Sequence, residues 1–220
     1  LAGAIEEVTP LLHAMLDRFG ALARTDCSRA EMPRPFDLRR NGFLVGEGAT
    51  LLVLEREDAA RARGGRILAR VGWSGAAFDA TASVSDWGDG DASLAANLRE
   101  GLAGLPGGAA GVGAIVSGAS GARRGDRLEA RVLRAAWGEF PLPPVLAPKA
   151  IFGEYGGGIL APGLLALAGI PFGPTPGFEE PDPEVDLTPY GGETREAPSR
   201  VLLTGLASGG AAAWLVFERV

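Results

Sequence analysis

The sequence predicts an α/β fold in which a mixed sheet of five strands lies between layers of helices. Segments with strand periodicity alternate with segments of helical periodicity along most of the 220 residues. Near the end of the chain, two apolar runs flank a short glycine-containing turn, which is typical of a hairpin. A βα series builds a layered sheet, and the closing hairpin adds antiparallel strands to it. Helices are therefore expected on both faces of the sheet.

The helical signals combine capping residues with apolar positions at helical spacing. Thr9 and Pro10 supply an N-cap and a first-turn proline, and the apolar residues that follow keep helical spacing as far as Leu22. A short charged segment ends at Gly64, which is typical of a helix stop. The predicted helices are the one that follows Thr9 and those at residues 57–63, 93–105 and 127–137.

The strand signals are short apolar runs bounded by charged, glycine or proline residues. Residues 50–54 lack polar alternation, so they predict a strand that is buried on both faces. Glu47 lies between two glycines just before this run and must be paired, hydrated or functional, because an isolated buried carboxylate is costly. The other predicted strands are residues 67–73, 111–116, 145–147, 200–206 and 213–219.

The composition argues against several classes of partner. The net charge is −6 and there is no basic run, which argues against nucleic acid or an anionic membrane as the partner. No apolar stretch reaches the roughly 18 residues that a membrane-spanning helix needs. The single cysteine, Cys27, rules out an internal disulfide, is typical of the reducing cytoplasm and is interpreted as an ordinary loop thiol. No pattern in the sequence predicts a cofactor or a metal.

The most specific motif spans residues 35–55. It begins Pro-Phe-Asp, continues with Arg-Asn-Gly-Phe at residues 40–43 and Gly-Glu-Gly-Ala at residues 46–49, and ends with the apolar run and Glu55. This pattern resembles the signature of the β-ketoacyl synthases, the condensing enzymes of the thiolase fold. The only departure is Asn41, where the family has an aspartate. A match of this length, with its glycines and proline in register, is far more specific than a lone Gly-x-Gly.

The resemblance implies a thiolase-like, layered α-β-α-β-α fold, of which this chain is mainly the C-terminal half. Residues 1–30 would end the N-terminal half, and residues 31–220 would form the C-terminal half. The rest of the N-terminal half, with the catalytic cysteine of the family, would lie upstream of Leu1 and come from the same gene or from a separate chain. Residues 156–168 resemble a family helix, and the proline- and acid-rich segment 171–198 resembles an ordered loop that crosses the surface.

The resemblance also assigns the catalytic positions. In active members one strand ends in Asn-Ala-His-Gly-Thr, and an aspartate and a glutamate three residues apart open the next helix. This chain keeps the second part as Asp126 and Glu129, and counting back from Asp126 places Gly118 at the histidine position. The only histidine of the chain, His13, falls in the first predicted helix and is interpreted as a surface or interface residue.

A second motif of active members reads Thr-Lys-Ser, two further residues, then Gly-His-Leu. Here Lys149 and Gly153 keep their places, and Glu154 stands at the histidine position. Lys149 is the only lysine among 21 basic residues, so its retention indicates a site that needs a compact ammonium group. By resemblance its partner would be Glu129, which would give a buried ion pair beside the former active site.

Three further residues are assigned to the cleft by resemblance. Glu47 precedes the core strand. Active members have Gly-Phe-Gly-Gly with a gating phenylalanine in the closing hairpin, where Ser208 takes the nearer aromatic position and Leu206 the earlier one. With Gly118 and Glu154, these residues predict a cleft that keeps the framework of the family without its two imidazoles. No residue of this chain is therefore assigned to catalysis.

The loss of both histidines resembles the non-catalytic β subunit of type II polyketide synthases, the chain length factor. By resemblance, the chain would form a heterodimer with an active ketosynthase, work with an acyl carrier protein and shape the tunnel in which a polyketide, polyene or fatty-acyl chain grows. Two alternatives stay open. One is an enzyme of altered chemistry in which Glu154 or Glu47 acts as a base in acyl transfer or hydrolysis, and the other is a degenerate β-ketoacyl synthase.

Overall fold

The computed structural model describes residues 1–25, 30–193 and 196–220, so the predicted loop thiol Cys27 lies outside the described residues. In chain order the strands and helices are β1 (Ala2–Glu6), α1 (Pro10–Arg18), β2 (Gly48–Leu52), α2 (Glu57–Ala62), β3 (Arg70–Phe78), α3 (Asp91–Ala103), β4 (Ala114–Val116), α4 (Arg123–Trp137), β5 (Val145–Leu146), α5 (Lys149–Phe152), α6 (Leu160–Leu167), β6 (Arg200–Leu206) and β7 (Ala211–Glu218). A short 3₁₀ helix, Gly108–Gly111, precedes β4. Within the described ranges, no helix has both the length and the apolar character needed to cross a bilayer.

Strands β3 to β7 form one five-stranded sheet in the order β3-β7-β6-β4-β5. β4 runs parallel to its neighbours β5 and β6, whereas β7 runs antiparallel to β6 and to β3. The β6–β7 hairpin turns through Gly209 and Gly210, whose backbone φ angles of 87° and 95° lie in the region that favours glycine. The prediction of a mixed, five-stranded sheet closed by a hairpin is confirmed.

Each face of this sheet carries its own apolar core. Neighbouring strand residues point to opposite faces, so Leu202 and Leu203 fall in different cores. Leu202 and Trp214 pack with apolar residues of α3 and α4. Leu203 and Phe217 pack with residues of α6 on the other side. The expectation of helices on both faces is confirmed.

The long acidic loop after α6 is held on the surface by arginines. Among the described residues, five ion pairs join it to α4 and to the segment before β2, namely Arg39–Glu179, Arg39–Glu180, Arg40–Asp182, Arg127–Glu184 and Arg134–Asp186. Between these contacts, Val185 and Leu187 are buried in the same core as α3 and α4. The described part of the loop therefore lies against the sheet and helices, as the resemblance implied.

β3 lies further along the chain than the strand predicted at residues 67–73. It pairs with β7 over its whole length, from Arg70 opposite Glu218 to Phe78 opposite Ala211. Residues 74–77 are small and carry little strand propensity of their own, so the pairing with β7 is what keeps them extended. The local pattern could not predict this extension.

β1 and β2 form a separate antiparallel pair. The prediction that residues 50–54 are buried on both faces is wrong for this chain, because Leu51, Val53 and Leu54 are 55%, 74% and 56% exposed. β2 ends at Leu52, and β1 is its only strand partner among the described residues. Side chains that the sequence assigns to a core therefore contribute to an open apolar surface, to which Ile5 of β1 also belongs.

We expect the isolated chain to self-associate rather than remain a monomer of 22.6 kDa. Large apolar side chains at Leu1, Ile5, Val53 and Phe78 are more than half exposed, and apolar surface of this kind drives association in water. Size-exclusion chromatography with light scattering measures the mass, and binding of a hydrophobic dye reports the exposed surface. A well-folded 22.6 kDa monomer that binds no dye would contradict the expectation.

Candidate functional site

The signature segment before β2 folds back onto the first turn of α4. Phe36 has a backbone φ of 65°, in the left-handed region where a residue other than glycine is strained. Its side chain is fully buried, and its N–H donates to Oδ2 of Asp126 at 2.9 Å. The same carboxylate accepts the N–H groups of Ser120 and Gly121, both at 3.2 Å. Asp126 therefore fixes both the signature segment and the loop that leads into α4.

Arg40 connects this region to the acidic loop. Its side chain is 1% exposed, and Nη1 donates to Oδ2 of Asp182 at 2.6 Å and to the carbonyl oxygen of Asp37 at 2.9 Å. Nη2 donates to the carbonyl oxygen of Arg123 at 3.0 Å. Nε lies 4.0 Å from Oδ2 of Asp126 and has no hydrogen-bond partner among the described residues. Two carboxyl groups thus accompany the buried guanidinium, as a buried charge requires.

Burial changes the acidity of Asp126. Removal from water raises the pKa of this carboxyl to about 7. The N–H of Phe36 and the charge of Arg40 act in the opposite direction, whereas the neighbouring Glu129 adds to the rise. The native state therefore holds a proton on Asp126 in a pH range where the unfolded chain has released it.

Glu129 lies one turn further along α4 and is also buried. Burial raises its pKa, while hydrogen bonds from the hydroxyls of Thr204 and Ser117 and the charge of Lys149 lower it in part. Oγ of Ser117 donates to Oε1 of Glu129 at 2.7 Å, and the hydroxyl of Thr204 donates to the same oxygen. This carboxyl group therefore links α4 to the ends of β4 and β6.

A cleft of about 660 Å³ opens beside α4, which is within the size range of small-molecule sites. The structure brings five of the predicted site residues to it, namely Gly118, Glu129, Glu154, Leu206 and Ser208. These residues come from the segments that follow β4 and α5, from α4, and from the β6–β7 hairpin. The long-range arrangement of the sheet is what places them together.

Glu47 lies away from the cleft, so its prediction as a cleft residue is wrong. It is exposed, and its Oε2 accepts the N–H of Val8, just before α1, at 3.1 Å. The preceding Gly46 packs so closely on the α5 end that an added Cβ would lie 2.1 Å from the carbonyl oxygen of Phe152. Because neighbouring residues of an extended chain point to opposite sides, the side chain of Glu47 faces away from that contact.

At the first histidine position, the backbone leaves no room for a side chain. A Cβ on Gly118 would lie 2.7 Å from the carbonyl oxygen of Thr204 in β6. The N–H of Gly118 is directed at the same residue, with its nitrogen 3.4 Å from the hydroxyl oxygen. Position 118 therefore lacks an imidazole, and the close approach of β6 also leaves no space for one.

At the second histidine position, Glu154 is fixed by its backbone and by its side chain. Its N–H donates to the carbonyl oxygen of Leu44 at 2.7 Å, and its carbonyl oxygen accepts the N–H of Gly46 at 3.0 Å. Its Oε1 accepts a hydrogen bond from Nζ of Lys149. The side chains of Lys149 and Glu154 are 12% and 31% exposed, so the ion pair is partly buried.

The predicted ion pair of Lys149 with Glu129 is therefore not formed as a hydrogen bond. α5 is a single turn that ends at Gly153, whose φ of 76° redirects the chain and lets Glu154 reach back to Lys149. The hydroxyl groups of Ser117, just after β4, and of Thr204 in β6 donate to Glu129 instead. Lys149 still affects Glu129 through its charge, which lowers the pKa of that carboxyl.

One wall of the cleft was not predicted in detail. The indole of Trp87 packs on Gly125, where an added Cβ would lie 2.5 Å from the ring. Arg124 donates through Nη2 to the carbonyl oxygen of Trp87 at 2.7 Å and forms an ion pair with Asp86. Trp87 is therefore held between α4 and the side chain of Arg124. Asp86 and Arg124 are 38 residues apart, and no local signal relates them.

Comparison with known proteins identifies the family. Residues 1–60 match the family model described as the β-ketoacyl synthase N-terminal domain. A putative polyketide β-ketoacyl synthase 1 of Streptomyces halstedii is 33% identical over 220 residues, which cover 96% of this chain and 51% of the relative. The 3-oxoacyl-(acyl-carrier-protein) synthase 2 of Mycobacterium tuberculosis is 36% identical over 167 residues, or 74% of this chain and 39% of the relative. The chain belongs to the β-ketoacyl synthase family.

Solved structures of β-ketoacyl synthases share the fold. The ishigamide ketosynthase/chain length factor superimposes with a TM-score of 0.84 at 30% identity, over 100% of this chain and 53% of that chain. A β-ketoacyl synthase from Burkholderia phymatum gives a TM-score of 0.83 at 28% identity, over 100% and 54%. The predicted thiolase-like α/β fold is confirmed as a partial one, because the chain spans about half the length of these relatives. The division into halves at residue 30 stays a prediction.

We expect Gly118→Ala to lower the free energy of unfolding by about 1 to 3 kcal/mol, the usual cost of forcing an extra methyl group into a packed site. The added Cβ would lie 2.7 Å from a backbone oxygen, which no side-chain movement relieves. Gly205→Ala is the matched control, since a Cβ on this β6 glycine meets nothing within 4 Å. Urea denaturation measures both variants, and equal stability would show that the backbone at position 118 yields easily.

We expect the free energy of unfolding to fall as the pH rises from about 5 to 7.5. The folded-state pKa of Asp126 is about 7, above its unfolded value, so protonation favours the native state and this stability is lost as the carboxyl ionises. Asp126→Asn keeps the shape of the side chain but cannot ionise. Between pH 5 and pH 7.5, the free energy of unfolding of this variant should therefore fall by roughly 2 kcal/mol less than that of the unchanged protein.

Denaturation in urea at pH 5 and pH 7.5 measures the effect of Asp126. Asp58→Asn, at a fully exposed ion pair of α2, is the control for a general change in charge. Some pH dependence should remain in Asp126→Asn, because burial also raises the pKa of Glu129. An identical slope in Asp126→Asn and in the unchanged protein would contradict the assignment to Asp126.

Proposed function

We propose that this chain is a non-catalytic ketosynthase-like subunit of the chain length factor type. It pairs with an active ketosynthase and shapes the tunnel in which a polyketide, polyene or fatty-acyl chain is elongated. The observation that carries the proposal is the geometry of the two histidine positions. Gly118 is closed by the carbonyl oxygen of Thr204, and Glu154 is a carboxylate held in an ion pair with Lys149.

The chemistry of condensation explains why this geometry matters. Decarboxylative condensation needs a nucleophile that carries the acyl chain and hydrogen-bond donors that stabilise the enolate and the developing oxyanion. The ionised carboxylate of Glu154 only accepts hydrogen bonds, so it would destabilise a neighbouring enolate. Gly118 has no side chain, and its N–H is directed at Thr204. Neither position supplies the donor that the reaction requires.

The framework around the cleft supports a structural role. Asp126 and Arg40 hold the signature segment, α4 and the acidic loop together through buried polar contacts. Leu206 and Ser208 remain on the cleft wall. Selection for shape would keep these buried charged groups, although they are costly, and would not keep the proton donors. The likeness to the ishigamide ketosynthase/chain length factor, at 30% identity, supports the same interpretation.

The partners proposed from the resemblance are an active ketosynthase, an acyl carrier protein and the missing N-terminal half of the fold. The exposed apolar side chains of β1, β2 and β3 support a further protein surface against this chain. A location in the cytoplasm and the lack of any cofactor or metal stay predictions.

The alternative functions depend on Glu47 or Glu154 as a base, or on the loss of any role. Glu47 is less suited to be a base in the cleft, because it lies outside it and accepts a hydrogen bond from Val8. Glu154 lines the cleft and is 31% exposed, which keeps it as a candidate base for acyl transfer or hydrolysis. Its Oε1 is already engaged by the ammonium group of Lys149. In a degenerate β-ketoacyl synthase, neither Glu47 nor Glu154 would have a function.

The proposed function is tested by reconstitution with the partner ketosynthase and an acyl carrier protein. We expect omission of the chain to change the yield or the length of the product. Leu206→Trp and Ser208→Trp, which fill the cleft, should shorten the product while synthesis continues. Ala103→Trp, on the exposed end of α3, is the control for an added indole away from the cleft. Mass spectrometry of the products measures chain length.

A second reconstitution separates this function from the alternatives. The partner ketosynthase is inactivated at its nucleophile, and the assembly is incubated with an acyl carrier protein thioester. No turnover is expected if this chain acts by shape alone. Hydrolysis or acyl transfer in this assembly would instead favour the enzyme of altered chemistry. A product of unchanged yield and length when the chain is omitted would favour the degenerate synthase.

A further inference from the structure

The charged side chains that line the cleft are unevenly distributed. Among the described residues they are Asp86, Arg123, Arg124, Asp126, Glu129 and Glu154. The two arginines are exposed, whereas the two carboxyl groups of α4, Asp126 and Glu129, are buried. The inner part of the cleft is therefore lined by carboxyl groups, and its cationic groups lie where water screens them.

The two arginines do not offset the carboxyl groups of the interior. Arg124 is already committed to Asp86 and to the carbonyl oxygen of Trp87. Arg123 is exposed to solvent, so its charge is screened over the distance to the inner cleft. Apart from these arginines, the charged side chains that line the cleft are all carboxyl groups among the described residues.

Glu154 is the inner carboxylate that a ligand would meet directly. Lys149 is its cationic partner, but Lys149 does not line the cleft, whereas Glu154 does. Lys149 engages Oε1 of Glu154, and nearly a third of the Glu154 side chain remains exposed. Glu154 is therefore the member of this ion pair that lines the cleft.

We propose that Glu154 makes the cleft selective by charge, so that it admits an uncharged β-keto acyl chain and excludes an acyl group that ends in a carboxylate, such as a malonyl group. This inference rests on the proposed function, because it names the kind of chain that the cleft accommodates. Decarboxylative condensation joins a growing chain, whose keto groups are neutral, to a donor that carries a free carboxylate. Glu154 separates these two by repulsion between like charges in a partly desolvated site.

The selectivity is measured with two probes of nearly the same shape. The acetoacetyl and malonyl thioesters of N-acetylcysteamine differ in one terminal group, a methyl in the first and a carboxylate oxygen in the second. The protein is studied in its assembly with the partner ketosynthase, and only this chain carries labelled leucine methyl groups. The methyl resonances of Leu206, which lines the cleft, report binding at this site by NMR titration. We expect the malonyl probe to bind at least about tenfold more weakly than the acetoacetyl probe.

Variants assign the selectivity to Glu154. Glu154→Gln keeps the size of the side chain and removes the charge, so the two probes should then bind within about twofold of each other. The single variant leaves the ammonium group of Lys149 unpaired, which can prevent folding. The double variant Lys149→Met and Glu154→Gln removes this ammonium group, and the two probes should again bind within about twofold of each other. Glu47→Gln makes the same change in charge outside the cleft and should keep the selectivity of the unchanged protein.

The inference is overturned if both probes bind equally well to the unchanged protein, if neither shifts the Leu206 resonances, or if removal of the Glu154 charge leaves the selectivity intact. These outcomes are separate from failure of the proposed function, which is judged by the length and yield of product in the reconstituted assembly. If the product still depends on this chain while the probes show no discrimination, only the charge selectivity is wrong.

Discussion

The guanidinium group of Arg40 joins three segments that are far apart in the chain. It contacts Asp182 of the acidic loop, the backbone of Arg123 at the start of α4 and, at 4.0 Å, the carboxyl of Asp126. Asp126 in turn holds the strained backbone of Phe36. Removal of the Arg40 guanidinium would leave the buried carboxylate of Asp182 without its cationic partner, which typically costs several kcal/mol. The position of α4, and therefore of the cleft beside it, depends on this arrangement.

Under the proposed function, the cleft keeps the framework of the family without the two histidines that its chemistry needs. The two histidine positions are blocked in different ways, one by the approach of β6 to Gly118 and the other by the Lys149–Glu154 ion pair. Glu129 keeps its place on α4 but accepts hydrogen bonds from hydroxyl groups just after β4 and in β6. The result is a cavity with defined walls, a charged inner surface and no proton donor at either position. Under the proposed function, such a cavity holds or excludes a chain and does not react with it.

The apolar surface formed by β1 and β2 is open to solvent, unlike the faces of the main sheet. β1 and β2 pair only with each other among the described residues, and their apolar residues on one side face solvent. The main sheet, in contrast, is covered on both faces and carries the cleft. The apolar side chains around β2 therefore have the character of an interior surface, unlike the covered faces of the main sheet. The coverage of only about half of each relative agrees with this difference.

The sequence by itself determined the local elements, the family and the loss of both imidazoles. Alternation placed Leu202 and Leu203 on opposite faces, and the glycine pair of the hairpin marked its turn, because these properties depend only on neighbouring residues. The tertiary structure alone decided that Lys149 pairs with Glu154, that Glu47 points toward Val8 and that Gly118 has no space above it. It also decided that Leu51, Val53 and Leu54 are exposed, and it joined Asp86 to Arg124. These outcomes depend on how distant backbone segments approach each other, and local propensity and periodicity carry no information about such distances.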